Sequence, residues 1–340
     1  MATIEWRSWA QRGWQALLRR SAWQKAFHHP AHDPIMSSAQ IKALGAQLSL
    51  MPKARWINPY ASEARKQGEQ ASRYLGSGLE YEESRPYQLG DEVRRIHWRL
   101  LAKTGQAYTK LFQEERQAGW TLMVDQRAAM RFGTQRQLKV TQALNAAGYF
   151  AWQAQQAGLS MDVIRLAQQS EHSASFEGRG LFESILHFLA IPCPPISLSA
   201  SQPEVRLLDE LLDCQQHLLA GSRLVIISDL ADFDEATGYA LAQLQQKVAV
   251  QVVLISDPAE HELPSVAGLK LQGLLGEQLT LSIEQRDTYQ RWAKQYFDDK
   301  IKHLQTLGVT WQHLSTEQDV SVLLNDFAKT PTSFLQTESA

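Results

Sequence analysis

Cysteine is scarce. Cys193 and Cys214 are the only two in 340 residues, and neither belongs to a Cys-x-x-Cys pair. That excludes a disulfide framework and a thiolate metal knuckle, and it fits a reducing compartment. Cys193 stands in a Pro-Cys-Pro-Pro run and Cys214 in an expected helix, and each reads as a structural thiol. Long apolar runs are missing as well: with no stretch of about 18 apolar residues, no transmembrane helix is expected. The N-terminal stretch lacks the apolar centre of a secretion signal, so a cytoplasmic protein is expected. Charge of one sign is not in excess either. Lys and Arg number 34 against 36 Asp and Glu, and the net charge of −2 supplies no whole-chain field for nucleic acid or an anionic membrane. Finally, the chain has no Gly-x-Ser-x-Gly elbow, no phosphate-binding loop and no His-Glu-x-x-His.

What is present is ordinary in bulk. Hydrophobic residues make up 44% and charged residues 21%, ample for a sizeable core. The length exceeds one average domain, so a core domain with an extension is expected. Residues 1–35 carry Trp6, Trp9, Trp14, Leu17 and Leu18 near helical spacing, with Arg7, Arg12, Arg19 and Arg20 among them. This reads as a basic amphipathic segment, a place for peripheral membrane contact or simply a short helix. His28, His29, His32 and Asp33 cluster around Pro30 and Pro34 with no positioned fourth ligand, and read as linker. Residues 37–52 predict a helix: Ser37 or Ser38 caps it, Ile41, Leu44, Leu48 and Met51 form its apolar face, and Pro52 stops it. Residues 53–74 are polar and basic.

From Trp120 the pattern becomes regular. Strands are expected at 120–124, 160–166, 223–228, 248–256 and 309–314, and helices at 138–157, 180–190, 203–219, 234–247, 284–307 and 317–328. The strands are apolar on both faces, which predicts an α/β fold: a mostly parallel sheet flanked by helices, preceded by a mixed N-terminal extension. Acids recur where strands end, at Asp125, Asp229 and Asp257. In open α/β sheets, ligands sit at the carboxyl ends of the strands.

Between extension and sheet lies the densest stretch of the chain, Leu75 to Arg116. It interleaves acids with Arg85, Arg94, Arg95, Arg99, Lys103 and Lys110, and adds Tyr81, Tyr87, Trp98, Tyr108 and Phe112. One reading is a lattice that holds the segment together, with Ile96 and Trp98 in a core. Another is a surface for a partner. A third, a basic stacking face for nucleic acid, is opposed by the interleaved acids. Within this stretch stands Arg-x-Tyr-x-x-Gly-Asp-x-x-Arg-x-Ile-x-Trp, here Arg85, Tyr87, Gly90, Asp91, Arg94, Arg95, Ile96 and Trp98. Ala102, Gly105 and Phe112-x-Glu114-Glu115-Arg116 follow. With Ile227-Ser228-Asp229 and Asp257-Pro258-x-Glu260-x-x-Leu263-Pro264, these residues resemble the bacterial family called domain of unknown function 58 over about residues 75–325.

That resemblance implies a von Willebrand factor A-like domain and a partner, a MoxR-type AAA+ ATPase, acting with it on a client protein complex. It implies a non-enzymatic adaptor. The surface expected to meet the partner is the strand-end edge around Asp125, Arg127 and Asp229 together with Arg85, Tyr87, Asp91, Arg94, Arg95 and Trp98, and no nucleic acid is expected. The domain layout expected is 1–74 extension, 75–116 motif segment, 117–328 α/β domain and 329–340 disordered tail. A domain of that type often holds a divalent metal through Asp-x-Ser-x-Ser, a Thr and a later Asp, because Mg²⁺ needs hard oxygens at fixed positions. Here Asp125 and Asp229 stand at those positions, but Arg127 and Ala129 replace the serines, and Gly178-Arg179-Gly180-Leu181-Phe182 offers no Thr. Arg127 is therefore expected to pair with Asp125 or Asp229 and take the cation's place, leaving no cofactor beyond weak Mg²⁺. An alternative is metal-dependent ligand binding through this degenerate site. Another is a hydrolase using Asp125, Asp229 or Asp257, against which Ser228 points away from its neighbour Asp229 along a strand.

Overall fold

The computed structural model describes residues 14–15, 34–51, 79–88, 96–114, 119–192, 204–263, 269–273, 278–280 and 282–326. Contacts divide the chain into two compact units: Ile57–Ala118, and Met1–Trp56 together with Gly119–Ala340.

The larger unit runs, in chain order, α1 (Ser38–Ser49), β1 (Trp120–Asp125), α2 (Lys139–Ala157), β2 (Met161–Leu166), β3 (Ser170–His172), α3 (Leu181–Leu189), α4 (Leu207–His217), β4 (Arg223–Ser228), α5 (Glu235–Leu244), β5 (Ala249–Ser256), α6 (Ile283–Thr306), β6 (Thr310–Ser315) and α7 (Val322–Asp326). The strands form one sheet in the order β6-β5-β4-β1-β2-β3. Every pairing is parallel except that of β2 with the short edge strand β3. The register sets Leu122 beside Val163 on one side and Val225 on the other. The expected mostly parallel α/β sheet is thus present, with β3 as an addition. Ser170–His172 is too short and too polar to announce itself by periodicity.

Alternation along the buried strands divides their side chains between two cores. Leu122, Val124, Val225 and Ile227 face the layer built by α1, α2, α3 and Leu323 of α7. Met123, Leu224, Ile226 and Val252 face α4, α5 and Leu304 of α6. Each such buried aliphatic chain contributes about 1.5–3 kcal/mol against exposure. Helices on both faces are what parallel strands require, since neither face can be left to water.

Local chemistry sets the helix ends. Ser37 caps α1 in a reciprocal box with Gln40: Gln40 N donates to Ser37 Oγ (3.3 Å), and Ser37 N donates to Gln40 Oε1 (2.8 Å). The buried face of α1, Ile41, Leu44 and Leu48, joins the same core as α2. The helix read as part of an N-terminal extension therefore belongs to the α/β unit. α2 stops at Gly158, whose φ of 67° few other residues adopt at low cost. Midway along α2, Gly148 brings α1 close: a Cβ there would lie 2.7 Å from Leu44 Cδ2.

Two expectations need correction. Trp14, read as part of a helical spacing, pairs with Gly273 in an antiparallel patch of Trp14–Gln15, Lys270–Gly273 and Gln278–Thr280. The other residues of the segment 1–33, including the histidine cluster and the candidate membrane contact, lie outside the described residues, as do 53–74 and 329–340. Trp98, expected in a core, is 58% exposed.

In the smaller unit, Leu79–Pro86 and Tyr108–Glu114 form an antiparallel hairpin with a register shift between Tyr81 and Glu83. A helix spans Trp98–Thr104. His97 caps it by accepting from Leu100 N through Nδ1 (3.1 Å), and Gly105, at φ 72°, ends it. Ile96 is buried and bridges Thr109, and the turn of the helix that follows carries Trp98 outward.

Candidate functional site

The order of the sheet reverses between β1 and β4, which leaves a crevice at their carboxyl ends. Asp125 ends β1 and Ser228 ends β4, both buried. Ser228 Oγ donates to Asp125 Oδ2 (2.6 Å) and accepts from Leu230 N (2.9 Å). The crevice is filled by Arg127. Its Nε and Nη2 donate to the two oxygens of Asp125 (3.0 and 2.7 Å). Nη1 and Nη2 donate to the two oxygens of Asp232 in the loop after β4 (2.6 and 2.9 Å), and Nη1 also donates to Val205 O (3.2 Å). A guanidinium has five N–H donors, and all five are used. Burial alone would lower the pKa of Arg127; the carboxylates of Asp125 and Asp232 more than offset this and hold the pKa above the ordinary arginine value.

Asp232 Oδ2 also accepts from Leu207 N (2.9 Å), the first residue of α4. The knot therefore joins β1, the loop after β4 and the start of α4. Just beyond Ser228, Leu230 is fully buried with φ 52°, the only non-glycine residue at positive φ among those described. A left-handed leucine costs about 1–2 kcal/mol. The strain turns the chain away from β4 immediately after the residues that line the crevice.

A second charged group lies beside the first. Lys139, at the start of α2, reaches Asp229 Oδ2 (2.7 Å) and Glu260 Oε1 (2.5 Å). Burial would lower the lysine pKa, but the two carboxylates win and raise it. Burial would likewise raise the Asp229 pKa, yet Lys139 and Lys300 hold it below the usual carboxylate value. Asp229 Oδ1 accepts from Ala231 N (3.0 Å), and Lys300 Nζ donates to Asp229 O (2.9 Å). Asp257, at the end of β5, accepts from Thr134 N (2.9 Å), Thr134 Oγ1, Thr316 Oγ1 (2.9 Å) and Ala259 N (3.1 Å). It ties three loops together.

Next to Lys139 and Asp229 is a cleft of about 70 Å³, walled by Glu260, Trp292, Tyr296 and Lys300. Trp292 stacks on Tyr296 (5.2 Å between centroids), and Lys300 Nζ lies 4.3 Å from the Tyr296 ring centre. Small-molecule sites enclose roughly 300–1,000 Å³, so this cleft is too small to swallow a metabolite. The nearest approach to a nucleophile with a base is Ser256, whose Oγ lies 2.7 Å from His313 Nε2 and 3.0 Å from His261 Nε2. Both rings spend the same nitrogen on one hydroxyl. Among the described residues no carboxylate hydrogen-bonds either ring to make it a stronger base.

A search among known proteins gives the family. The chain matches, over residues 83–302, the model described as "Protein of unknown function DUF58". This chain belongs to that family. It is 26% identical over 262 residues to the uncharacterized proteins Rv1480 of Mycobacterium tuberculosis and Mb1516 of Mycobacterium bovis, covering 72% of this chain and 77% of each of them. A crystal structure of the conserved hypothetical protein BatB from Bacteroides thetaiotaomicron aligns with 62% of this chain and 98% of its own, at 10% identity and a TM-score of 0.38. An aerotolerance-related membrane protein from Bacteroides fragilis aligns at 9% identity and a TM-score of 0.34. Likeness at that level carries no argument about function. Among the described residues of this family member, no helix is long and apolar enough to cross a membrane.

Of the residues singled out by sequence, the structure brings Asp125 and Arg127 into one bidentate pair and sets Asp229 apart, on Lys139. The divalent metal of the resembled pattern does not fit: both oxygens of Asp125 are held by Arg127 and Ser228, and positions 127 and 129 offer a guanidinium and a methyl group. Arg85 lies in the hairpin opposite Thr109, and Tyr87 is half-buried with its N–H donating to Ala107 O (2.9 Å). Asp91, Arg94 and Arg95 lie outside the described residues. Asp232, Lys139 and Leu230 went unnoticed in the sequence, and Glu260 stood out only as part of the Asp257–Pro264 motif. Lys139 was hidden because it opens an apolar helix, and Asp232 because it sits in a loop without spacing to mark it.

Proposed function

We propose that this chain is a non-enzymatic, von Willebrand A-like binding module that works in the cytoplasm with a MoxR-type AAA+ ATPase on a client protein. The observation that carries this reading is Arg127. It occupies the switch-point crevice with all its donors committed to Asp125, Asp232 and Val205, so the crevice presents a closed, ionically cross-linked surface instead of a reaction site. The small neighbouring cleft and the lone Ser256 without an oriented base support a surface that docks a macromolecule. Trp98, with more than half its area in solvent, is the aromatic anchor this reading assigns to the smaller unit.

The test is affinity capture of a MoxR-type ATPase from the same organism on the purified chain, with and without ATP, in parallel with isothermal titration of Mg²⁺. Wild type and Trp98→Ala are compared with Arg127→Ser. The expected result is ATPase capture that drops at least tenfold in Trp98→Ala, and no Mg²⁺ heat in wild type. Equal capture by every variant, or capture that depends on Mg²⁺ binding, overturns the reading.

A further inference from the structure

At the β3 edge of the sheet, three metal-competent side chains converge. His172 ends β3, and Glu210 and Asp213 lie one turn apart on α4. One ligand atom from each falls within 4.8 Å of the other two. His172 Nε2 stands 3.1 Å from Glu210 Oε1. Asp213 Oδ1 is met by His217 Nδ1 (3.2 Å), a further turn along α4. The decisive feature is Glu210. Its side chain is 4% exposed, and its Oε1, sealed from water, has His172 Nε2 beside it in a geometry that forms no hydrogen bond. A buried carboxylate oxygen that makes no hydrogen bond is costly, and such a group calls for an explanation in a bound ion.

We propose that His172, Glu210 and Asp213 form a binding site for a divalent transition metal, of which Zn²⁺ fits best. Zn²⁺ takes imidazole nitrogen and carboxylate oxygen at about 2.0–2.2 Å, so neighbouring ligand atoms stand roughly 3.0–3.6 Å apart. The pair of His172 and Glu210 already meets that spacing. Asp213 closes onto the same point by a small rotation from within 4.8 Å. A neutral imidazole and two carboxylates balance a 2+ charge, and the half-exposed His172 leaves a path for the ion and for water at the remaining positions. The imidazole selects zinc and the later first-row metals over Mg²⁺ and Ca²⁺, which favour all-oxygen sets. His217 Nδ1 hydrogen-bonds the backbone carbonyl of Asp213 (3.0 Å) and lies 3.2 Å from its carboxylate, where an outer partner of a metal ligand would stand. Bound there, the ion clamps the three-residue strand β3 onto α4. The first turn of α4 supplies Leu207 N to Asp232 in the Arg127 knot, so the clamp also fixes the helix that borders the crevice.

The experiment titrates Zn²⁺, Mn²⁺ and Mg²⁺ separately into the full chain, with calorimetry and thermal melting as readouts. It is repeated on His172→Ala and Asp213→Asn, two partly exposed positions where the fold is not at stake, and on Glu210→Gln. Co²⁺ serves as a spectroscopic probe of the same ligands. The expected result is one Zn²⁺ per chain, a raised melting temperature, a visible Co²⁺ band, and Mg²⁺ without effect. Each variant loses at least tenfold in Zn²⁺ affinity, and His172→Ala loses the Co²⁺ band. Absence of Zn²⁺ uptake by wild type, or Zn²⁺ affinity unchanged in His172→Ala and Asp213→Asn, overturns the proposal. In the latter case the ion sits elsewhere.

Discussion

At the scale of single residues, the carboxyl edge of the sheet is a study in how buried charge is tolerated. Lys139 is enclosed, and its ammonium survives there only because Asp229 and Glu260 lie within 2.7 Å. Removing one member of such a group leaves the others charged and desolvated, a loss of about 3–5 kcal/mol. Lys139→Met is therefore expected to lower unfolding stability in urea by that amount, and adding Asp229→Asn to recover part of it. A double variant no better than the single one would show that Asp229 is stabilised by Lys300 instead. Arg127 differs from Lys139 in kind. Its planar fork answers two carboxylates at once, which an ammonium on a flexible stem does not reproduce.

At the scale of elements, the contact between α1 and α2 rests on a missing side chain. Gly148→Ala improves helix propensity by about 1 kcal/mol, but its methyl would stand 2.7 Å from Leu44 Cδ2 and 3.3 Å from Leu186 Cδ1. Overpacking of this kind costs about 1–3 kcal/mol. A net destabilisation is expected, relieved in Gly148→Ala/Leu44→Ala, and a double-mutant cycle in chemical denaturation measures the coupling. Element boundaries were largely legible because their signals are local: Ser37 caps α1, Gly158 ends α2, and apolar runs mark β1, β4 and β5. Allegiance between elements was not legible. Nothing in Ile41, Leu44 and Leu48 says that they pack on a helix a hundred residues away. Trp98 was misjudged because an aromatic residue reads as core until the direction of its helix is known. At the site, Asp125 and Arg127 were legible as neighbours in sequence, whereas Asp232 reached them only through the fold, at a separation of 105 residues.

At the scale of the whole molecule, the response to acid divides into two windows. Burial, and then the neighbouring His261, push the His313 pKa from an ordinary 6.5 down to about 4. The His261 pKa is lowered as well, chiefly by burial, although Glu260 and Asp257 oppose it. A depressed histidine is neutral in the folded state while the unfolded chain takes up the proton. Stability is therefore full above pH 6.5 and falls as the pH drops towards 4, by about 3 kcal/mol for His313. The loss from Asp229, whose pKa is lowered in the fold, comes only as the pH drops below its ordinary 3.8. Urea midpoints at pH 7.5 and pH 5 are expected to differ in the wild type, to differ less in His313→Asn, and to converge when His261→Asn is added. A wild type insensitive to pH between these values would show that water reaches the ring.

The strand order has a consequence for a growing chain. β1 lies in the middle of the sheet, but its neighbour β4 begins at Arg223, so Ser228 reaches Asp125 only after 103 further residues have been made. Until then one edge of an apolar strand has no partner. Unpaired edges recruit other chains, and long-range parallel pairing is slow to form. A nascent or truncated chain that stops before Arg223 thus carries a half-built sheet with its stickiest strand open, at the stage when it most needs to be kept apart from its copies.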